Sequence, residues 1–243
     1  MSAAPHKTHP PESALTRAEI RRRLARPREA RPRGDDATAH RLLESPHVQP
    51  FDRAKHDPAN WGGLPGKLPP QRRESAVRTP AAVLVPLVEH SSGFTVLFTQ
   101  RTAGLKAHGG QISFPGGRME PGDADADAGA LRETAEEIGL AARHIEVLGH
   151  LDPYWTVTNF EVTPVVAAIT PPFDLALDPA EVADVFEVPL AFFLDARNHQ
   201  IHSRTIGEGK ARAYYAMPYG DRYIWGATAG MLVNLYEVLS SGT

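Results

Sequence analysis

The chain of 243 residues contains no cysteine, which excludes disulfides, thiolate metal sites and a thiol nucleophile. That absence fits a reducing compartment, and a cytoplasmic location is the expectation. No apolar stretch approaches the ~20 residues of a membrane span, and the N-terminal MSAAPHKTHPPES lacks the apolar centre of a signal peptide. Neither sign of charge is in excess: 26 Lys and Arg against 29 Asp and Glu leave a net charge of -3, which argues against bulk binding to nucleic acid or membrane. Internal repeats are absent. Aromatic residues are sparse, and none interleaves the most basic stretch, RRRLARPREARPR at 21–33, so base stacking is not expected there. That stretch is expected to be a solvated helix running into a linker. An RNA-directed arm is the functional alternative.

What is present suffices for one sizeable core, since 42% of the residues are hydrophobic. Residues 1–75 form an Arg- and Pro-rich N-terminal extension. Within it Thr16 to Glu19 makes a capping box, followed by Ile20 and Leu24 at helical spacing, so a short helix is expected over 16–25. The segment PANWGGLPGKLPP at 58–70 reads as loop. Residues 76–243 form the expected folded domain. AVRTPAAVLVPLVEH and GFTVLFTQR, split by Ser91-Ser92-Gly93, predict a β-hairpin. QISFPGG at 111–117 predicts a short strand ending in a Gly-Gly turn. A helix over 126–138, strands at 145–151 and 160–169, and a strand turning into a short helix at 185–195 follow. Strands at 200–206 and 211–219 pair, and an amphipathic helix covers 227–241. This order predicts an α+β fold, a mixed β-sheet flanked by helices.

The helix over 126–138 ends in RETAEEIGL, which places Glu133, Glu136 and Glu137 on one side of its last turns. Like charges at i,i+4 repel by ~0.2–0.5 kcal/mol. Gly139 is the natural stop, so the acids sit at the negative end of the helix dipole, where cations are preferred. Leu131, Ala135 and Ile138 are expected to face the core. A solvated acidic face is the ordinary account. A divalent cation held by hard carboxylate oxygens, Mg²⁺ or Mn²⁺, would give the repulsion a use. The spacing of Asp123, Asp125 and Asp127 suggests a calcium loop, but Ala128 and Thr134 stand where that loop needs Gly and Glu. Asp125 and Asp127 are instead expected to cap the helix.

With its flanks the stretch reads GRMEPGDADADAGALRETAEEIGL, 117–140. It resembles the Nudix box, matching at Gly117, Arg132, Glu133, Glu136, Glu137, Gly139 and Leu140. Asp123 stands where the box has its first Glu, one extra residue separates it from Arg132, and Thr134 replaces an apolar residue. Upstream, LFTQRTAGLKAHGGQISFPGG at 97–117 is similar to the signature of the coenzyme A pyrophosphatase branch of Nudix hydrolases, with Leu97, Thr99, Arg101, Gly110, Phe114, Pro115, Gly116 and Gly117 matching. YAMPYGDRYIWGATAGML at 215–232 is similar to the end of that branch.

The resemblance implies a Nudix fold, an α/β/α sandwich whose helices include the box helix. It implies metal-dependent hydrolysis of a diphosphate, with coenzyme A cleaved to 4′-phosphopantetheine and adenosine 3′,5′-bisphosphate. Glu133, Glu136 and Glu137 would ligate Mg²⁺ or Mn²⁺, and Arg132 would orient a box acid, with Glu120 or Asp123 as its partner. Arg101, Lys106, His108, Gly116 and Gly117 are the candidates for substrate binding; His108 is equally an ordinary surface residue. The general base is a cluster glutamate, Glu181 or Asp184. Trp155, Phe160 and Trp225 are either adenine platforms or core aromatics. The expected partner is a small-molecule diphosphate, with no nucleic acid and no membrane, and a homodimer is the assembly allowed for. A broader hydrolase of ADP-ribose, NADH or nucleotides is the alternative, followed by a non-catalytic nucleotide-binding module.

Overall fold

Two β-branched runs make the longest central strands, and the other elements are laid against them. The computed structural model describes residues 15–28, 33–51, 77–105, 109–206 and 210–241. In chain order the elements are α1 (Arg17–Leu24), β1 (Arg33–Gly34), α2 (Asp35–Leu43), β2 (Val48–Pro50), β3 (Thr79–His90), β4 (Gly93–Arg101), β5 (Ile112–Ser113), β6 (Gly116–Arg118), α3 (Ala126–Ile138), β7 (Ile145–His150), β8 (Tyr154–Trp155), β9 (Phe160–Ile169), β10 (Val182–Pro189), α4 (Leu190–Phe193), β11 (Gln200–Ile206), β12 (Lys210–Tyr219), β13 (Arg222–Trp225) and α5 (Gly226–Ser240). The expected loop at 58–70 lies outside the described residues.

The main sheet runs β1-β8-β9-β3-β4-β10, with β5 on β4, β6 on β3 and β7 on β9. It is mixed, as expected: β3 pairs parallel with β9 and antiparallel with β4. Alternation along β3 divides the core. Ala81, Val85 and Leu87 face one side with Ile20 and Leu24 of α1 and Leu232 and Leu235 of α5. Ala82, Leu84 and Val88 face the other with Ala130 and Ile138 of α3. Helices therefore cover both faces, the α/β/α layering expected of the fold.

The strands expected at 200–206 and 211–219 do pair, but they leave the main sheet. With β13 and β2 they form a second sheet ordered β13-β12-β11-β2. The Gly-Gly turn is also corrected. Gly116 and Gly117 lie inside β6, opposite Val83 and Ala82 of β3. Gly116 has φ +147°, and a Cβ there would stand 2.4 Å from the Ala82 carbonyl oxygen. Glycine is needed for close packing in a strand, and the turn is made elsewhere.

The helix expected at the start of the Arg-rich stretch is present, and it is docked on the sheet. Thr16 caps α1 by accepting the Glu19 N–H at 3.2 Å, but the Glu19 carboxylate turns to Arg22 and Arg23. Ile20 is fully buried. Arg17 donates to Glu89 and Glu146, both at 2.7 Å, and to Thr170. Arg33 donates to Asp152 and Glu237 at 2.6 Å. Arg17, just before the stretch, and Arg33, at its end, bind the protein's own carboxylates, while Arg21 and Arg22 keep 49% and 66% of their side chains exposed, as expected of a solvated helix; 29–32 lie outside the described residues. Elements upstream of residue 76 join both sheets, through β1 on β8 and β2 on β11.

Candidate active site

Local signals set the acidic helix. Asp125 caps α3 by accepting the Ala128 N–H at 2.9 Å. Asp127 does not share that task; it accepts from the His150 ring at 2.7 Å. Gly139 ends the helix in the left-handed conformation, φ +68°, and its N–H donates to Ala135. The last carbonyls, of Glu137 and Ile138, accept the Asp178 and Ala176 N–H groups, both at 2.9 Å. The loop leading to β10 is thereby tied to the acidic end of α3.

The helix is rotated relative to the expected core face. Thr134, the departure from the box, is fully buried, and its hydroxyl donates to the Ala130 carbonyl at 2.7 Å. Self-capped in this way, it serves as a core residue. Ala135 is exposed and Leu131 half-buried. Glu137 turns inward, with only 4% of its surface exposed.

The three glutamates meet different surroundings. Glu137 accepts the Gly116 N–H at 3.2 Å and faces Arg101 at 3.4 Å. Burial raises its pKa from the usual 4.5 to about 7. Arg101 and the Gly116 N–H act against that shift, and the charges of Glu181 and Glu133 add to it. The Glu133 carboxylate lies over Gly117, where a Cβ would be 2.7 Å from it. Burial raises its pKa too, opposed by Arg132. Glu136 is mostly exposed and accepts from Arg132 at 2.9 Å.

Arg132 ties the group together. It grips Asp123 with two parallel bonds of 3.0 Å and also donates to Glu133 at 3.1 Å and the Arg118 carbonyl at 3.1 Å. Of its two expected partners, Asp123 is the one engaged. Glu120 contributes a backbone N–H to the same carboxylate at 2.8 Å. Such a fork fixes both planes, which accounts for Asp123 in a place where the box has Glu. Gly116 is a candidate in the sequence, but the N–H it donates to Glu137 is a backbone bond that no side-chain pattern announces.

Beyond the helix, Glu181 lies 3.6 Å from Arg101, whereas Asp184 is paired with Arg222 at 2.6 Å. Trp155 is stacked by Arg78 at 4.0 Å, Phe160 lies 6.0 Å from Arg118, and Trp225 packs edge-on against Tyr214. Lys106 and His108 lie outside the described residues. With Arg132 lying between Glu133 and Glu136, no three acidic or imidazole side chains among the described residues converge as a ready cation cage. The donor set nonetheless fits a hard divalent cation. It offers carboxylate oxygens alone, and burial disfavours the charged form of Glu137 and of the half-buried Glu133, a cost that a bound cation would offset.

A NUDIX domain model matches residues 78–206. The uncharacterized Nudix hydrolase NudL of Citrobacter koseri is 40% identical over 163 residues, 67% of this chain and 83% of that protein. NudL of Photorhabdus laumondii is 37% identical over 169 residues, 70% of this chain and 89% of its own length. NudL of Escherichia coli K12 is 39% identical over 170 residues, 69% and 87% respectively. Among solved structures, a Nudix hydrolase from M. smegmatis, RenU, covers 68% of this chain and 88% of its own at 18% identity and TM-score 0.43. An Ap4A hydrolase of C. elegans covers 46% and 80% at 22% identity and TM-score 0.40. By the matched domain and these NudL relatives, the chain belongs to the Nudix family and is a pyrophosphohydrolase.

Proposed function

We propose that this Nudix hydrolase, an enzyme of nucleoside-diphosphate-linked substrates, cleaves the diphosphate of coenzyme A and its derivatives. The observation carrying the reading is that the segment 97–117, which resembles the coenzyme A branch, meets the box helix itself. Its Arg101 faces Glu137 at 3.4 Å, its Gly116 N–H donates to Glu137, and its Gly117 lies under the Glu133 carboxylate. Nudix hydrolases generally use divalent metal ions. Here Glu133, Glu136 and Glu137 would hold Mg²⁺ or Mn²⁺. When bound, such an ion neutralises the diphosphate and lowers the pKa of a coordinated water.

The chain's own groups do the rest. Arg132 holds Glu133 and Glu136 in place against Asp123. Arg101 presents a guanidinium to the substrate phosphates, and Lys106 and His108 are proposed to join it. Water forms a new bond to one phosphorus as the anhydride P–O bond breaks. The water's proton passes to a carboxylate of the site, and the other phosphate leaves with the anhydride oxygen. The products are 4′-phosphopantetheine, or its acyl form, and adenosine 3′,5′-bisphosphate. Of the bases considered, Glu181 faces this site, while Asp184 is held by Arg222.

The test is a substrate panel of coenzyme A, acyl coenzyme A, ADP-ribose and NADH, each with Mg²⁺ and with Mn²⁺. Coenzyme A or an acyl form is expected to give the highest kcat/KM. If both rank below ADP-ribose and NADH, the broader hydrolase replaces this reading.

A further inference from the structure

The arginines that follow α1 do more than fasten it. Where the end of α1, the loop after β7 and the last turns of α5 meet lies a cavity of about 390 Å³, lined by Arg23, Arg26, Arg28 and Arg33 with two carboxylates, Asp152 and Glu237. It sits on the face of the main sheet that α1 and α5 cover, whereas Glu133 and Glu137 belong to α3 on the other face.

The four arginines are unequally neutralised. Arg33 donates to Asp152 and Glu237, both at 2.6 Å. Asn234 donates to the same Asp152 oxygen at 3.3 Å. Arg28 is left with the other oxygen of Asp152, 3.4 Å from its Nε, outside the ~2.7–2.9 Å of a closed charge-assisted bond. Its Nη2 donates to the His150 carbonyl at 2.9 Å, and its Nη1 is buried with no hydrogen-bond partner. An unsatisfied guanidinium N–H is costly. The Arg28 side chain is 26% exposed, so a small rotation brings that arm to an acceptor placed in the cavity it lines. Arg23 and Arg26 donate to the Leu239 and Ser241 carbonyls at the end of α5. Helix ends favour cations, which accounts for their position. Carbonyls carry only partial charge, and among the described residues Arg26 has no carboxylate partner.

We propose that this cavity is an anion site, remote from the hydrolytic site, for a small molecule bearing a phosphate group. Four guanidinium groups against two carboxylates leave it positive, and the arginine fork matches phosphate oxygens. Among the described residues no aromatic side chain lines it, so a nucleobase finds no stacking surface and recognition falls on the phosphate. Inorganic phosphate and a phosphate monoester present that same group. The site is independent of which diphosphate the enzyme cleaves.

The experiment is calorimetry with inorganic phosphate and with AMP at matched ionic strength, with chelator present to keep metal from the carboxylates of α3. Thermal melts with and without each anion accompany it. Wild type, Arg28→Gln, Arg26→Gln and Arg101→Gln are compared. Wild type should bind one anion per chain, and its melting temperature should rise with anion concentration. Arg28→Gln and Arg26→Gln should each weaken binding about tenfold or more, the scale of a charge-assisted hydrogen bond. Both should lose the anion-dependent rise, a readout that a change in anion-free stability does not mimic. Arg101→Gln, at the hydrolytic site, should bind within about twofold of wild type. Equal affinity for the two anions assigns the site to the phosphate group alone, and tighter binding of AMP assigns it to a monoester. Failure of both anions to bind, binding lost in Arg101→Gln, or binding unchanged in Arg28→Gln and Arg26→Gln overturns the proposal. Single-stranded RNA that binds through the same arginines, with a steep salt dependence and in preference to either anion, makes the segment a nucleic-acid arm and overturns it too.

Discussion

At the scale of single residues, Glu137 shows the conflict between stability and site chemistry. It is a buried carboxylate at the negative end of a helix, with Glu133 and Glu181 adding repulsion. Its folded-state pKa of about 7 lies above the usual 4.5. The folded chain therefore binds this proton more tightly than the unfolded chain does. The associated stability is complete below about pH 4.5 and is lost as pH rises through about 7. A shift of this size corresponds to roughly 3 kcal/mol. Glu137→Gln should accordingly raise the melting temperature at pH 8 in chelator while lowering kcat by about two orders of magnitude or more. Melts at pH 5 and pH 8 beside initial rates check both halves; an unchanged melting temperature at pH 8 contradicts the assigned burial.

Gly117 gives a second residue-scale prediction. A methyl group there first meets the flexible end of Glu133, 2.7 Å away, so Gly117→Ala should fold and displace the carboxylate. Misplacement of this kind should lower kcat/KM ~10–100-fold. A variant with full activity would show that the position of Glu133 over Gly117 does not matter. The partners of these acids were only partly legible in the sequence. Spacing put three glutamates on one side of a helix, but periodicity alone set the core face wrongly at Ala135. Thr134 hides its hydroxyl by bonding to Ala130, which a polarity pattern does not register.

At the scale of elements, α3 was legible to its ends because both signals are local, the Asp125 cap and the Gly139 stop. The hairpin β3–β4 was legible because two β-branched runs flank a short polar turn. Helix α1 was legible as a helix but not as a docked one. Its docking depends on acids more than 70 residues away, Glu89 and Glu146. Helix α2 gave no strong periodic signal; it stands on a tertiary contact in which Asp35 accepts from Tyr154 at 3.0 Å and the Val157 N–H at 2.7 Å. For α1, Ile20→Ala should cost ~2–5 kcal/mol, as for other fully buried aliphatic truncations. Bonds from Arg17 and then Arg21 hold the Glu146 carboxyl below its usual 4.5. The sign is opposite to that of Glu137: this contribution is present above pH 4.5 and lost as pH falls through the lowered folded value. The protection factors of amides in residues 17–24, corrected for the intrinsic pH dependence of exchange, should fall on acidification, and less so in Glu146→Gln, which has lost the titrating group. An equal fall in both would assign the release of α1 to other groups.

At the scale of the whole molecule, sheet, box helix and β10 loop converge on one acidic site, and the Arg-rich segment is fastened to the opposite face of the main sheet through α1. The second sheet was not legible, because strand alternation at 200–219 says that two strands pair and not which sheet they join. No helix among the described residues is long and apolar enough to cross a membrane. The family is carried by the matched domain, while coenzyme A specificity is proposed from the segment 97–117 folded against Glu133 and Glu137.

The most direct measurement is product identification from coenzyme A with Mg²⁺ or Mn²⁺, run in parallel for wild type and Glu137→Gln. The account predicts equal amounts of 4′-phosphopantetheine and adenosine 3′,5′-bisphosphate from wild type and almost none from the variant. Intact coenzyme A in a preparation that cleaves ADP-ribose or NADH, or undiminished cleavage by Glu137→Gln, would contradict it.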